Sequence, residues 1–233
     1  MAIPRVLFVT CMPFQTPRSA SMAFMAVLLE KYANRFCWFS LRAAAAASDN
    51  HFGVPYAYAD HLRQPTRLRL LKQYLNLGPW AGYMGYKASR FGRAQNVEVV
   101  LADLAFEAVV AGRVAARLLN VPLLVSVHDD PVNRIRVKGA APWLLKLYDH
   151  AVFKTMKAAA RCGVICNAMG QVYQDRYGVA TTTLFIGVEE HKCLSQRHCD
   201  ARKAPIVVGS VGSVNYLENW RLLLDAVRLL NRK

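Results

Sequence analysis

Short, continuous apolar runs alternate along this chain with longer stretches in which apolar positions recur about every three or four residues. Continuous runs are the pattern of strands buried on both faces, and the longer period is that of amphipathic helices. The alternation therefore predicts a doubly wound, mostly parallel sheet of the α/β class. A first strand is expected over 5–10, a helix over 21–33, and an aromatic strand over 35–41. Residues 43–93 break the pattern, with Pro55, Pro65, Pro79 and several tyrosines, and read as an insertion holding one or two helices. Further strands are expected over 97–102, 121–128, 163–166 and 182–186. The helices between them are read over 106–119, 142–160 and 171–177, the last stopped by Gly178. Residues 191–204 are polar and basic without a period, so a first domain over 1–190 is followed by a linker. The strand and helix expected over 205–233 cannot enclose a doubly wound core alone, so the second domain is expected to be incomplete, docked on the first, or supplied by another chain.

Composition narrows the class. A hydrophobic content of 54% over 233 residues is ample for a real core and excludes a disordered chain. No apolar run approaches the roughly 20 residues that cross a bilayer, and no basic region precedes a long apolar stretch at the N-terminus, so a cytoplasmic location is expected. Cys11, Cys37, Cys162 and Cys166 lie in or beside apolar runs and are expected to be buried thiols, in keeping with a reducing compartment. The cluster His191, Cys193, His198 and Cys199 lacks the paired spacing of a zinc site, and no metal is expected.

A net charge of +15 favours anionic partners. No helix-turn-helix, zinc finger or RNA-binding aromatic motif accompanies it, so a specific nucleic-acid partner is not expected. Residues 62–75 set leucines on one helical face with Arg67, Arg69 and Lys72 elsewhere. That segment fits either a packed helix with a solvated face or peripheral contact with an acidic membrane, at the inner membrane surface.

Chemistry is expected just beyond the strand ends, where open parallel sheets bind ligands. The sequence Ser126-Val-His128-Asp129-Asp130-Pro131 brings an imidazole and two carboxylates out of the most hydrophobic strand. His128 could polarise or deprotonate a hydroxyl, with Asp129 or Asp130 orienting it; the plainer reading makes one of the acids a helix cap. After the first strand, Pro13, Ser19 and Ser21 lie where a loop and helix N-terminus could meet a phosphate, or the serines only cap. Gly209, Gly212 and Ser213 form a second glycine-bearing turn, which is a phosphate site or simply a tight turn. The absence of GxGxxG after the first strand argues against a nicotinamide or flavin enzyme, and no Walker loop is present.

The ordered set Val121-Pro-Leu-Leu-Val-Ser-Val-His128-Asp129, Gly163-Val-Ile-Cys-Asn167, Tyr177-Gly178, Leu184-Phe-Ile-Gly187-Val-Glu189 and Ile206-Val-Val-Gly-Ser-Val-Gly212 resembles the family 4 glycosyltransferases of the GT-B fold, across about residues 1–232. The resemblance implies a Rossmann-like first domain that binds a saccharide or lipid-linked acceptor and a second that binds a nucleoside-diphosphate sugar. Transfer would occur between them without an obligatory metal and with no cofactor beyond the sugar nucleotide. It further implies that His128 lies near the transferred sugar and that the loop holding Pro13, Ser19 and Ser21, with the turn of Gly209, Gly212 and Ser213, faces the donor phosphates. Ser213 and Glu218 stand where many members carry an arginine and a lysine, and the later acidic donor motif is absent before Lys233. These departures imply a chain inactive alone and leave a non-catalytic binding or assembly subunit as the alternative.

Overall fold

A computed structural model describes residues 3–11, 32–43, 51–55, 75–105, 107–137 and 140–184, together with 221, 224, 225 and 228. The chain divides into two compact units, Met1–Gly187 and Val188–Lys233. In the second, the four described residues are helical, and Arg228 pairs with Asp225 at 3.3 Å.

The first unit is built on strands β1 (Val6–Thr10), β2 (Phe36–Ala43), β3 (His51–Pro55), β4 (Val99–Asp103), β5 (Leu123–Val127), β6 (Arg161–Val164) and β7 (Thr181–Thr183). They form one seven-stranded sheet in the order β3-β2-β1-β4-β5-β6-β7, with every pairing parallel. The order reverses between β1 and β4, which is the doubly wound arrangement and creates a switch point beyond the carboxyl ends of these two strands.

Five helices are described: α1 (Ala81–Ala94, entered through a π-helical turn Asn76–Trp80), α2 (Ala108–Leu119), α3 (Pro131–Val137), α4 (Pro142–Ala158) and α5 (Asn167–Tyr177). Pro142 at the start of α4 loses nothing, since its missing N–H would have had no partner there. Left-handed residues end two helices, Asn120 at φ 56° after α2 and Gly178 at φ 64° after α5.

All five residues of β1 are buried, as a central parallel strand requires. Leu7 and Val9 face the helix layer, where they approach Gly92 of α1 and Gly112 of α2. Phe8 points the other way and meets Trp38 edge to face, with ring centroids 4.9 Å apart. Both rings are buried, so the sheet centre is covered on both sides. Small residues set the spacing of the layers: α1 lies against α2 through Gly85, and α2 lies on β4 through Gly112.

Two expectations need correction. The irregular stretch 43–93 is not merely an insertion, because it contains β3, an edge strand of the main sheet, and α1, a helix of the main layer. Its strand is short and interrupted by Gly53 and Pro55, so no alternation announces it; pairing with β2 makes it a strand. Cys166 is exposed, unlike the buried Cys11, Cys37 and Cys162, because β6 ends at Val164 and Cys166 has become the residue before α5. There its Sγ accepts from the backbone N–H of Met169 at 3.5 Å.

Candidate functional site

Parallel register aligns a row of polar residues across the carboxyl edge of the sheet. Thr10 lies opposite Ser40, and Asp103 opposite Ser126. Alternation along each strand places these four on the face opposite the helix layer, since their neighbours Val9 and Ala102 approach Gly112. Thr10 Oγ1 donates to Asp103 Oδ2 at 3.3 Å and joins β1 to β4 at the switch point. Ser40, Thr10 and Ser126 are buried, whereas Asp103 is half-buried. One step further out, Cys11 Sγ points at Glu107 Oε2 and the Ala105 carbonyl, at 3.4 and 3.5 Å.

His128 follows β5 directly and is half-buried. Its Nε2 lies 3.1 Å from Ser126 Oγ, so the serine holds one nitrogen and leaves Nδ1 as the one able to meet another group. Burial pushes the His128 pKa below the ordinary 6.5, and the adjacent Asp129 carboxylate opposes that shift. The ring is therefore neutral near pH 7, the state in which one nitrogen carries a lone pair.

Asp130 takes the plainer of its two roles. Its Oδ1 accepts from the backbone N–H groups of Val132 and Asn133, at 2.9 and 3.0 Å, and caps the first turn of α3. Asp129 stays exposed beside His128. Asp130 also contributes to the raised pKa values of Tyr173 and Tyr177, for which burial is the main cause. Tyr177 is pushed up to about 12, so both phenols remain protonated, and their rings pack 5.4 Å apart on α5.

Of the residues singled out from sequence, His128, Asp129 and Asp130 fall together at one strand end. Pro13, Ser19, Ser21, Gly209, Gly212 and Ser213 lie outside the described residues, as do His191, Cys193, His198 and Cys199. Sequence reading overlooked Thr10, Asp103 and Glu107, and it gave Ser126 no role of its own. The strand-end rule that selected His128 would also have selected Asp103, had the strand been continued one residue past Ala102. Among the described residues, no group of three or more His, Cys, Asp or Glu side chains is arranged to hold a metal ion. None of the described helices is long and apolar enough to cross a membrane.

No protein-family model matches the chain, and no curated protein matches its sequence. Solved structures show a remote likeness. Anabaena Alr3699/HepE, in complex with UDP and glucose, is 14% identical over 80% of this chain and 45% of that one, with a TM-score of 0.47. Phytolacca americana UGT2, complexed with UDP-2fluoro-glucose and pterostilbene, is 9% identical over 82% of this chain and 56% of that one, with a TM-score of 0.46. Glycyrrhiza uralensis UGT73P12, complexed with glycyrrhetinic acid 3-O-monoglucuronide, is 9% identical over 78% and 48%, with a TM-score of 0.48. The chain thus spans about half the length of each of these proteins. What the chain itself establishes is an α/β, doubly wound parallel sheet with an ionisable cluster at its carboxyl edge.

Proposed function

We propose that the chain is the acceptor-side part of a nucleotide-sugar glycosyltransferase, with a first domain over about 1–190 and the opening of a donor domain after it. The observation that carries this reading is the neutral, half-buried His128, held by Ser126 at the carboxyl edge of the sheet beside the switch point. An imidazole in that state can take a proton from an attacking hydroxyl. For Nδ1 to be the base, Nε2 must carry the ring proton and donate it to Ser126 Oγ, a role the hydroxyl can take as acceptor. Asp129, exposed at the same turn, stabilises the imidazolium that proton transfer creates. In this reading Pro13, Ser19, Ser21, Gly209, Gly212 and Ser213 meet the donor phosphates, and the work is cytoplasmic, needing neither metal nor cofactor. The acceptor is a saccharide, free or lipid-linked.

The test is a thermal-shift series of the full chain with UDP, GDP and their sugars, with and without candidate saccharide acceptors. Stabilisation by a sugar nucleotide, with or without an acceptor, reduced at least tenfold in apparent affinity by His128→Asn, supports the proposal (about 1.4 kcal/mol). Stabilisation by nucleic acid alone rejects it. A second reading, a non-catalytic binding or assembly subunit, is favoured by Ser213 and Glu218 at positions where family 4 members answer pyrophosphate charge. Acceptor binding with no response to any sugar nucleotide would select that reading.

A further inference from the structure

Helix α1 carries two stripes, and only one is used in packing. Ala81, Met84, Gly85, Ala88 and Gly92 are buried against the layer beneath. On the opposite side Tyr83, Tyr86, Lys87 and Arg90 are all exposed, at the spacing of three and four that makes one continuous helical face. Tyr83 is 49% exposed and Tyr86 47%, and Leu75, just ahead of the π-helical turn, adds a further aliphatic side chain at 44%. The Lys87 ammonium stands 5.6 Å over the centre of the Tyr83 ring, so cation and aromatic share one patch.

The charge on this element has one sign. Residues 75–94 include Lys87, Arg90 and Arg93 and no Asp or Glu. The adjoining α2 adds Arg113 and Arg117, and burial together with its neighbour's charge makes Arg113 a poorer base than usual. Single exposed apolar residues need no explanation. Two tyrosines and a leucine aligned with cations, on a helix without acids, make a surface suited to an anionic bilayer: rings settle at headgroup depth while the cations meet phosphates. Nucleic acid would satisfy the cations as well, but it gives an exposed leucine nothing to bury into.

We propose that the outward stripe of α1, centred on Tyr83, Tyr86, Lys87 and Arg90, is a docking surface for an anionic phospholipid bilayer. The stripe starts at the functional edge of the sheet. Arg5, which precedes β1, reaches Gln95 at the C-terminal end of α1, so the Leu75 end of the element lies toward the carboxyl ends of the strands. The proposal stands independently of the glycosyl-transfer reading, because it concerns a surface and not the chemistry of His128.

The experiment is co-sedimentation of the full chain with vesicles of phosphatidylcholine mixed with phosphatidylglycerol, against vesicles of phosphatidylcholine alone. Binding is expected only to the anionic vesicles. Lys87→Glu with Arg90→Glu should weaken it on the order of twentyfold, and Tyr83→Ser with Tyr86→Ser should weaken it severalfold at unchanged charge. Lys146→Glu with Lys154→Glu, which changes the charge equally on exposed positions of α4, should retain most of the binding. The tyrosine and cation pairs are separate variants, each checked for an unaltered melting transition, so failure of one to fold leaves the other to decide. Absence of anionic-vesicle binding overturns the proposal. So do equal losses from the two charge-reversal pairs, or tight binding of a single-stranded oligonucleotide that the tyrosine pair leaves untouched.

Discussion

His128 is held between burial, which disfavours its charge, and the Asp129 carboxylate, which favours it, and burial dominates. Its proton should therefore bind below the ordinary 6.5, read by NMR as the midpoint of the ring's titration. Ser126→Ala removes the group on Nε2 and should change the tautomer ratio, read from the ring nitrogen shifts, while leaving the fold intact. A depressed folded-state pKa also sets the sign of the stability effect. As pH falls, the unfolded chain takes up the proton first, so this contribution is intact above 6.5 and is lost as pH drops toward the lower folded value. The stability of the native protein relative to His128→Gln, compared by urea denaturation at neutral and mildly acidic pH, should accordingly fall on acidification. Asp130→Ala should cost about 1 kcal/mol through the lost cap on α3, measured by the same denaturation.

Among the elements, the α1–α2 contact depends on the absence of a side chain at one position. A Cβ on Gly85 would stand 2.6 Å from Val114 Cβ and 2.7 Å from the Ala111 carbonyl oxygen. Backbone cannot swing aside as a side chain can, so Gly85→Ala is expected to lower stability by about 1–3 kcal/mol in spite of alanine's better helix propensity. A cooperative urea transition of unchanged slope and lower midpoint would show it. Helix α4 is tied to α2 by one buried hydrogen bond, Thr155 Oγ1 to the Val109 carbonyl at 2.9 Å. Thr155→Val keeps the shape and removes that bond, for an expected loss of about 1 kcal/mol in the same measurement. Near α5 the Arg176–Asp149 pair, at 2.7 Å, is largely solvated and should matter little to stability.

At the scale of the molecule, every described residue of the hydrophobic core falls within Met1–Gly187. A chain ending at Gly187 should therefore fold alone, with one cooperative transition and the near-UV circular dichroism of its buried aromatic rings. Much of this unit was legible from the sequence. The central strands and the long helices after β4 and β5 follow from the identities of consecutive residues, because each period is a local property and each run is apolar enough to be buried on both sides. Helix ends were legible where the stop is chemical, as at Gly178, and His128 was legible because it closes a strand that is apolar except at Ser126. Three features were decided only by tertiary structure. His51–Pro55 is a strand because β2 offers it a free edge, and its own composition argues otherwise. Cys166 caps a helix because β6 stops short of it. The Thr10–Asp103 bond and the Asp103–Ser126 alignment join residues far apart in the chain, the first pair separated by 93 positions. The sequence by itself determined most of the segments that become strands and helices, His51–Pro55 excepted, and that ionisable groups emerge at a strand end. Which of those groups become neighbours was decided by strand order and register, since these depend on how separated segments pack together and leave no periodic trace in either segment alone.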